Sequence, residues 1–221
     1  MESRQDNMKR NIDYSLYLVT DRDLMAAASI EECVEQAVSG GCTLVQLREK
    51  TASSREFYET ALRVRKITAD LGVPLIINDR ADIALAVNAD GVHVGQDDLT
   101  IDAARRIMGK DAIIGASVNN LTEALAALGA DYLGVGAMFA TGTKTDADIA
   151  SMDELRRIRA EIKIPVVVIG GINKNNVPLF AGTGIDGIAV VSAIVSQKDA
   201  RGAARELKEL FKSTMGKNEG V

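Results

Sequence analysis

Two short apolar segments of this chain each end abruptly in polar side chains. One segment (LII) leads into Asp79, and a second (GVHV) leads toward Asp98. Residues 81–88 between them have a helical pattern, so the stretch is interpreted as a strand–helix–strand unit. The carboxyl ends of parallel strands are neighbours, so the two carboxylates are expected to lie close together and to repel each other. A Mg²⁺ ion that also binds a substrate phosphate would neutralise them. The alternative, in which Asp79 caps the helix and Asp98 lies in a solvated turn, stays open here.

Basic side chains follow an earlier predicted strand, residues 43–48. Gln46 and Arg48 alternate along it and are expected to point the same way, with Lys50 in the loop above. Two cations and an amide at one rim suit a phosphate group, because a buried arginine needs an anion. The alternative is an ion pair of Arg48 with Glu49 or with a neighbouring aspartate.

Hydroxyl and amine groups follow the fifth and sixth predicted strands. Ser117 ends the fifth strand, and the loop after the sixth carries Thr141, Thr143 and Lys144 around a glycine. This combination predicts an oxyanion-binding loop. A polar loop without a ligand is the alternative.

Small residues follow the last two predicted strands. Gly170 and Gly171 end the seventh, and Val191 and Ser192 end the eighth. Glycine allows close approach of the backbone to a ligand, and a helix start favours an anion. A second phosphate site is predicted here, although a tight turn with an N-cap serine would give the same pattern.

Eight alternating strand and helix patterns must position these groups. The strands are nearly continuous apolar runs, as in a parallel sheet that is buried on both faces. We therefore predict a single-domain α/β fold, a (β/α)8 TIM barrel over residues 14–212, whose chemistry lies at the carboxyl ends of the strands. An open doubly wound sheet is the competitor, but no G-x-G-x-x-G follows the first strand.

Other element boundaries follow from the same patterns. Residues 1–13 are expected to form a polar leader and residues 213–221 a polar tail. A helix is predicted from near Lys174 to the turn at 182–184, and a last helix from about 193 to 211.

Composition excludes several functions. The chain has 221 residues, 47% hydrophobic and 4% aromatic, with a net charge of −5, which disfavours nucleic-acid binding. There is no apolar run long enough for a membrane helix and no apolar signal segment. Cys33 and Cys42 make no disulfide framework, so a reduced, cytoplasmic protein is expected. The sequence leaves a homo-oligomer open.

A strong general base is not evident at the predicted rim. The single histidine, His93, lies in an apolar run, which favours a core position over a catalytic one. Two phosphorylated small molecules would satisfy the two anion-binding regions and the acidic pair. Departure of a metal-bound diphosphate would need little proton transfer, because charge stabilisation of the leaving group does most of the work.

Together these segments resemble thiamine phosphate synthase (thiamine-phosphate pyrophosphorylase) from about Tyr17 to Leu210. The resemblance rests on QLREK, NDR, GVHVGQDD, TGTK, IGGI and the VS pair, in that order. It implies a (β/α)8 barrel that joins a hydroxymethylpyrimidine diphosphate to a thiazole phosphate. The implied roles are Mg²⁺ binding by Asp79 and Asp98, pyrimidine diphosphate binding by Gln46, Arg48, Lys50, Asn78, Ser117 and Lys144, and thiazole phosphate binding by Thr141, Thr143, Gly171, Val191 and Ser192. Arg48, Ser117 and Lys144 are the candidates for direct catalytic roles.

The sequence departs from the family in the loop after the sixth strand. Ala137 and Ala140 stand where the family usually has prolines. We expect this loop to be mobile without ligand, since proline would restrict it.

Other functions of the same fold remain alternatives. One is a thiazole tautomerase-like relative, which should not need the acidic pair. Another is a phosphate-handling barrel isomerase, which would want a paired acid and base. A third is a non-enzymatic thiazole-phosphate-binding protein.

Overall fold

A closed parallel barrel, with its strands in sequence order, forms the centre of the computed structural model, which describes residues 12–140 and 149–216. The predicted (β/α)8 fold is thus confirmed. The strands are β1 Leu16–Val19, β2 Leu44–Leu47, β3 Leu75–Asn78, β4 Gly91–Val94, β5 Ile113–Val118, β6 Tyr132–Val135, β7 Val166–Val168 and β8 Gly187–Val190. The helices are α1 Ile30–Gly40, α2 Ser54–Asp70, α3 Ala81–Ala86, α4 Ile101–Met108, α5 Leu121–Ala126, α6 Met152–Glu161, α7 Ser192–Val195 and α8 Ala200–Met215, with a 3₁₀ helix at Val177–Phe180.

Side-chain caps start most of the longer helices where the sequence changes from strand to helix pattern. Ser53 caps α2 in a capping box with Glu56, whose carboxylate accepts from the Ser53 backbone N–H. Thr100 accepts from the backbone N–H of Ala103 at 3.3 Å, as its position before α4 predicts. Each cap satisfies a backbone donor that the first helical turn leaves unpaired.

Two apolar layers hold the barrel together. The larger layer lies between the strands and the surrounding helices, where α2 contributes Phe57, Ala61 and Val64. The smaller lies inside the barrel, with the side chains of alternate strand residues: Tyr17, Val19, Leu44, Ile76, Ile113, Tyr132, Val167 and Ala189. Because strand side chains alternate between the two layers, the interior positions can be followed from strand to strand.

The connection after β7 differs from the expected helix. In place of a helix from Lys174, one 3₁₀ turn spans Val177–Phe180. Asn173 and Asn176 both donate side-chain hydrogen bonds to the Gly171 carbonyl, at 2.9 Å each. Such local side-chain bonds compete with helix formation, which explains the short turn.

The last predicted helix is divided in two. The short helix α7 ends at Val195, and Asp199 then caps α8 by accepting from the Gly202 N–H at 2.8 Å. Helix α8 continues to Met215, one turn beyond the expected end, so that Thr214 is buried. No helix among the described residues is both long and apolar enough to cross a membrane.

Candidate active site

A cavity of about 560 Å³ opens at the carboxyl ends of the barrel strands. Most of the predicted binding residues within the described part of the chain line it: Gln46, Arg48, Asn78, Ser117, Gly171, Val191 and Ser192. Residues from β1 to β8 contribute to its wall, although they are widely separated in the sequence. The closed barrel is what brings these groups together, and one cavity can therefore hold a ligand in contact with several loops.

Gln46 and Arg48 point into the cavity from β2, as their alternation predicts. Arg48 Nη1 lies 3.0 Å from Oδ2 of Asp21, which follows β1 and also lines the cavity. Of the two ion pairs considered for Arg48, the structure contains the one with a neighbouring aspartate, since Glu49 pairs with Arg22 instead. The Arg48 side chain is 24% exposed, so the guanidinium still faces the cavity with donors to spare.

A carboxylate pair lies at the rim, as the first two segments predict. Burial, and then the nearby Asp79 carboxylate, raise the pKa of Asp98. Lys50 Nζ lies 2.5 Å from Oδ2 of Asp79. Asp79 has a φ of 62°, a left-handed backbone conformation that is uncommon for residues other than glycine. Of the alternative, one half holds: Asp98 lies in an exposed turn, where its Oδ2 accepts from the Gly95 N–H at 2.8 Å. Asp79 does not cap α3, which begins after Arg80 without a side-chain cap.

This pair is chemically suited to Mg²⁺. Among the described residues no group of three or more histidine, cysteine, aspartate or glutamate side chains could enclose a metal. Mg²⁺, however, is commonly held by one or two carboxylates together with substrate phosphates and water. Burial is the main cause of the raised pKa of Asp98, and the neighbouring Asp79 carboxylate adds to it. The donor set therefore fits a hard divalent cation that arrives with a phosphorylated ligand.

His93 is buried, as predicted, but it also lines the cavity. Its Nε2 lies 2.9 Å from the Ser117 hydroxyl, and its Nδ1 lies 2.9 Å from the Tyr132 hydroxyl. Ser117 itself lies within β5, one residue earlier in the strand than its end. The histidine thus belongs to the polar wall of the site as well as to the barrel interior.

Sequence reasoning missed Tyr17 and Tyr132. Both hydroxyls lie inside the barrel, where Gln46 Nε2 donates to Tyr17 Oη at 2.8 Å and the two tyrosine oxygens are 2.7 Å apart. Their strands have apolar patterns that indicated only core packing. The available signal was chemical, because a buried tyrosine hydroxyl in an interior position must find a hydrogen-bond partner.

Glycines shape the far side of the cavity after β7. Gly171 has a φ of 69°, and a Cβ there would come within 2.8 Å of the Phe139 Cβ. The Asn173 and Asn176 side chains hold its carbonyl, which fixes the loop. Ser192 begins α7 beside this loop and lines the same cavity. This side presents backbone and a hydroxyl, which suits an anion.

Three predicted residues, Thr141, Thr143 and Lys144, lie outside the described residues, as does most of the loop expected to be mobile. Ala137 and Ala140, which stand in place of the family prolines, line the cavity just before that gap.

Comparison with known proteins identifies the family. The family model described as "Thiamine monophosphate synthase" matches residues 16–194. A thiamine-phosphate synthase from Clostridium beijerinckii is 60% identical over 206 residues, covering 92% of this chain and 99% of that protein. One from Clostridium botulinum is 60% identical over 206 residues, covering 92% and 97%. The structure of thiamine phosphate pyrophosphorylase from Pyrococcus furiosus is 43% identical, with a TM-score of 0.85, and covers 93% of this chain and 98% of that one. The chain therefore belongs to the thiamine monophosphate synthase family.

Proposed function

We propose that the protein is a transferase, a thiamine-phosphate synthase that joins a hydroxymethylpyrimidine diphosphate to a thiazole phosphate, giving thiamine phosphate and diphosphate. One observation carries the proposal beyond family membership. A single cavity is lined on one side by Arg48 and by Asn78, the residue before Asp79, and on the other by the Gly171 loop. Two phosphorylated molecules could occupy it with their reacting ends facing each other.

The pyrimidine diphosphate is assigned to the side formed by β2 to β5. Gln46, Asn78 and Ser117 line this side with neutral hydrogen-bonding groups. Arg48 and the nearby Lys50 supply positive charge for the diphosphate. In our proposal Lys144, which the resemblance adds to this set, contacts the same substrate.

The thiazole phosphate is assigned to the side formed by β7 and β8. Gly171, Val191 and Ser192 line the cavity there. A monophosphate could be bound by backbone N–H groups and the serine hydroxyl. Thr141 and Thr143 complete this assignment through the resemblance.

Asp79 and Asp98 are the residues that would hold Mg²⁺. When bound, Mg²⁺ would offset the negative charge that collects on a departing diphosphate. Lys50 contacts Asp79 in its absence, so its ammonium group is close enough to take part in binding the same diphosphate.

The proposed reaction is dissociative. The bond between the pyrimidine methylene carbon and the diphosphate oxygen breaks, and the electron pair leaves with the diphosphate. The thiazole nitrogen then donates its lone pair to the methylene cation, forming the new carbon–nitrogen bond. That nitrogen carries no proton, so the step needs no general base. The chain's part is to align the two partners, stabilise charge with Arg48 and exclude water from the cation.

Incubation with both substrates and Mg²⁺ tests the proposal. Release of diphosphate together with thiamine phosphate is expected, and each product should require both substrates. A tautomerase-like relative would convert the thiazole phosphate alone, and a binding protein would hold it without turnover. Either result would overturn the proposal. The two buried, unpaired cysteines Cys33 and Cys42 support the cytoplasmic location that we propose with it.

A further inference from the structure

A continuous chain of hydrogen bonds crosses the barrel interior beneath the cavity. It runs from Gln46 through Tyr17, Tyr132 and His93 to Ser117, and we call these residues the relay. The successive distances are 2.8, 2.7, 2.9 and 2.9 Å. Both ends of the relay line the cavity. The hydrogen-bonding groups that Gln46 and Ser117 present to a ligand are therefore connected through the relay.

The two tyrosines each contribute one hydrogen to the relay. Tyr17 and Tyr132 are 1% and 0% exposed. Burial raises the pKa of both phenols, so they remain protonated at physiological pH. A neutral phenol has one hydrogen, which a buried hydroxyl donates to a partner, so each tyrosine oxygen accepts the other of its two hydrogen bonds.

This restriction gives the relay a direction. The Gln46 amide nitrogen can only donate, so Tyr17 accepts there and donates its own hydrogen to Tyr132. Tyr132 then donates to Nδ1 of His93, which must be unprotonated to accept. The neutral imidazole carries its hydrogen on Nε2 and donates it to the Ser117 oxygen.

A glycine makes room for the central link. Gly115 on β5 lies in register between His93 on β4 and Tyr132 on β6. A Cβ at this position would overlap both the Tyr132 hydroxyl end and the His93 ring. The absence of a side chain at Gly115 therefore allows the Tyr132 hydroxyl and the His93 ring to approach each other and form their hydrogen bond.

We propose that the relay positions two groups for ligand recognition, presenting the Ser117 hydroxyl as a donor and the Gln46 carbonyl oxygen as an acceptor. The inference rests on the proposed function, because the pyrimidine of the proposed diphosphate substrate is a 4-amino-2-methylpyrimidine. An aminopyrimidine has the complementary pair, an N–H donor and a ring-nitrogen acceptor. An oxopyrimidine, with a carbonyl and a ring N–H, has the opposite pair. Tyr17, Tyr132 and His93 act through Gln46 and Ser117 and are positioning residues, which select the amino over the oxo heterocycle.

The tautomer of His93 tests the direction without any activity measurement. The chain has one histidine, so nitrogen-15 NMR of the tag-free, ligand-free protein reports on this ring alone. We expect the neutral tautomer with hydrogen on Nε2 at neutral pH. Hydrogen on Nδ1, or on both nitrogens, would reverse or break the relay and overturn the inference.

Substitution of Tyr132 by phenylalanine tests recognition. Tyr132→Phe removes two links and keeps the ring. Calorimetry with the aminopyrimidine diphosphate and its oxo counterpart should give a preference for the amino compound that falls by about tenfold, the equivalent of one hydrogen bond. Unchanged preference would contradict the proposal. Tyr17→Phe should act in the same direction, and it serves if Tyr132→Phe does not fold.

Tyr14 offers a matched control. Its ring packs against Tyr132 with centroids 5.1 Å apart, and it is also buried, but its hydroxyl makes no hydrogen bond to a described residue. Tyr14→Phe should keep the wild-type preference, and loss of preference in this variant would point to packing and overturn the relay. If the protein lacks synthase activity while His93 carries hydrogen on Nε2, the proposed function fails and the relay's direction stands. If synthase activity is present while His93 carries hydrogen on Nδ1, the proposed function stands and the relay fails.

Discussion

Lys50 Nζ lies 2.5 Å from Oδ2 of Asp79, and this ammonium group is the positive partner of the carboxylate pair in the ligand-free protein. One cation beside two carboxylates leaves net negative charge at the rim. The raised pKa of Asp98 is the physical sign of that imbalance, after the effect of burial. The rim is thus prepared to accept further positive charge together with a phosphorylated ligand.

Asp98→Asn should make the metal-free protein slightly more stable at neutral pH. Because the folded-state pKa of Asp98 is raised above its usual 3.8, the native state holds this proton more tightly than the unfolded state. The ionised Asp98 carboxylate therefore lowers folding stability by its full amount above the raised pKa. This loss disappears as the pH falls below the pKa of the unfolded state. We expect a gain of less than about 1 kcal/mol, since the carboxylate is only partly buried and solvent screens its charge.

Thermal unfolding between acidic and neutral pH, with and without Mg²⁺, measures this effect. Mg²⁺ should raise the melting temperature of wild type and not that of Asp98→Asn. The exposed neighbour Asp97, changed to Asn, is the control and should respond to Mg²⁺ as wild type does. An equal Mg²⁺ response in Asp98→Asn would remove Asp98 from the metal site.

Arg48→Gln should lower kcat/KM for the pyrimidine diphosphate by about 100-fold, because a charged hydrogen bond to the leaving diphosphate is lost. It also leaves Asp21 without its partner, which costs some stability. The double variant Arg48→Gln with Asp21→Asn should regain stability but not activity. Arg63→Gln, which breaks an exposed ion pair with Glu31, is the control. Steady-state kinetics and thermal unfolding would decide, and recovered activity in the double variant would contradict the role.

Gly171→Ala should weaken thiazole phosphate binding. Gly171 and Gly72 have nearly the same φ, 69° and 70°, so alanine strains the backbone equally at both, by about 1–2 kcal/mol. A Cβ at Gly72 has nothing within 4 Å, whereas one at Gly171 meets Phe139. We expect the KM for thiazole phosphate to rise by about tenfold only in Gly171→Ala. Equal KM values in the two variants would show that the Gly171 loop does not touch this substrate.

Cys33 and Cys42 should resist alkylation in the folded protein. Both are buried, and burial raises the pKa of Cys33 to about 11 and that of Cys42 further. The reactive thiolate is therefore scarce at about pH 8. Mass spectrometry after iodoacetamide treatment should find both thiols unmodified until denaturant is added. Rapid labelling of the native protein would mean that this part of the core opens readily.

Sequence patterns predicted the barrel because its strands are short apolar runs that alternate with helix patterns. They also predicted that Gln46 and Arg48 share one face and that Asp79 and Asp98 meet, since both results follow from strand geometry alone. The expected helix after β7 was wrong, because Asn173 and Asn176 bind the Gly171 carbonyl and turn the chain there.

Contacts between side chains of distant strands could not be predicted from these sequence patterns. Tyr17 and Tyr132 are 115 residues apart, and their hydrogen bond depends on the closure of the barrel. His93 looked like a core residue, and it is one. Its polar role becomes visible only when Ser117 and Tyr132 are placed on either side of its ring.

The tightly packed base of the barrel determines how ligands enter and leave the site. Below the cavity, the Tyr14 ring packs at a tilt against Tyr132, and the buried side chains of Leu44 and Ile76 fill the remaining width. A molecule resting on that base must return by the way it came. The ligand that binds first and deepest is then covered by the second ligand. Binding and release therefore follow a fixed order.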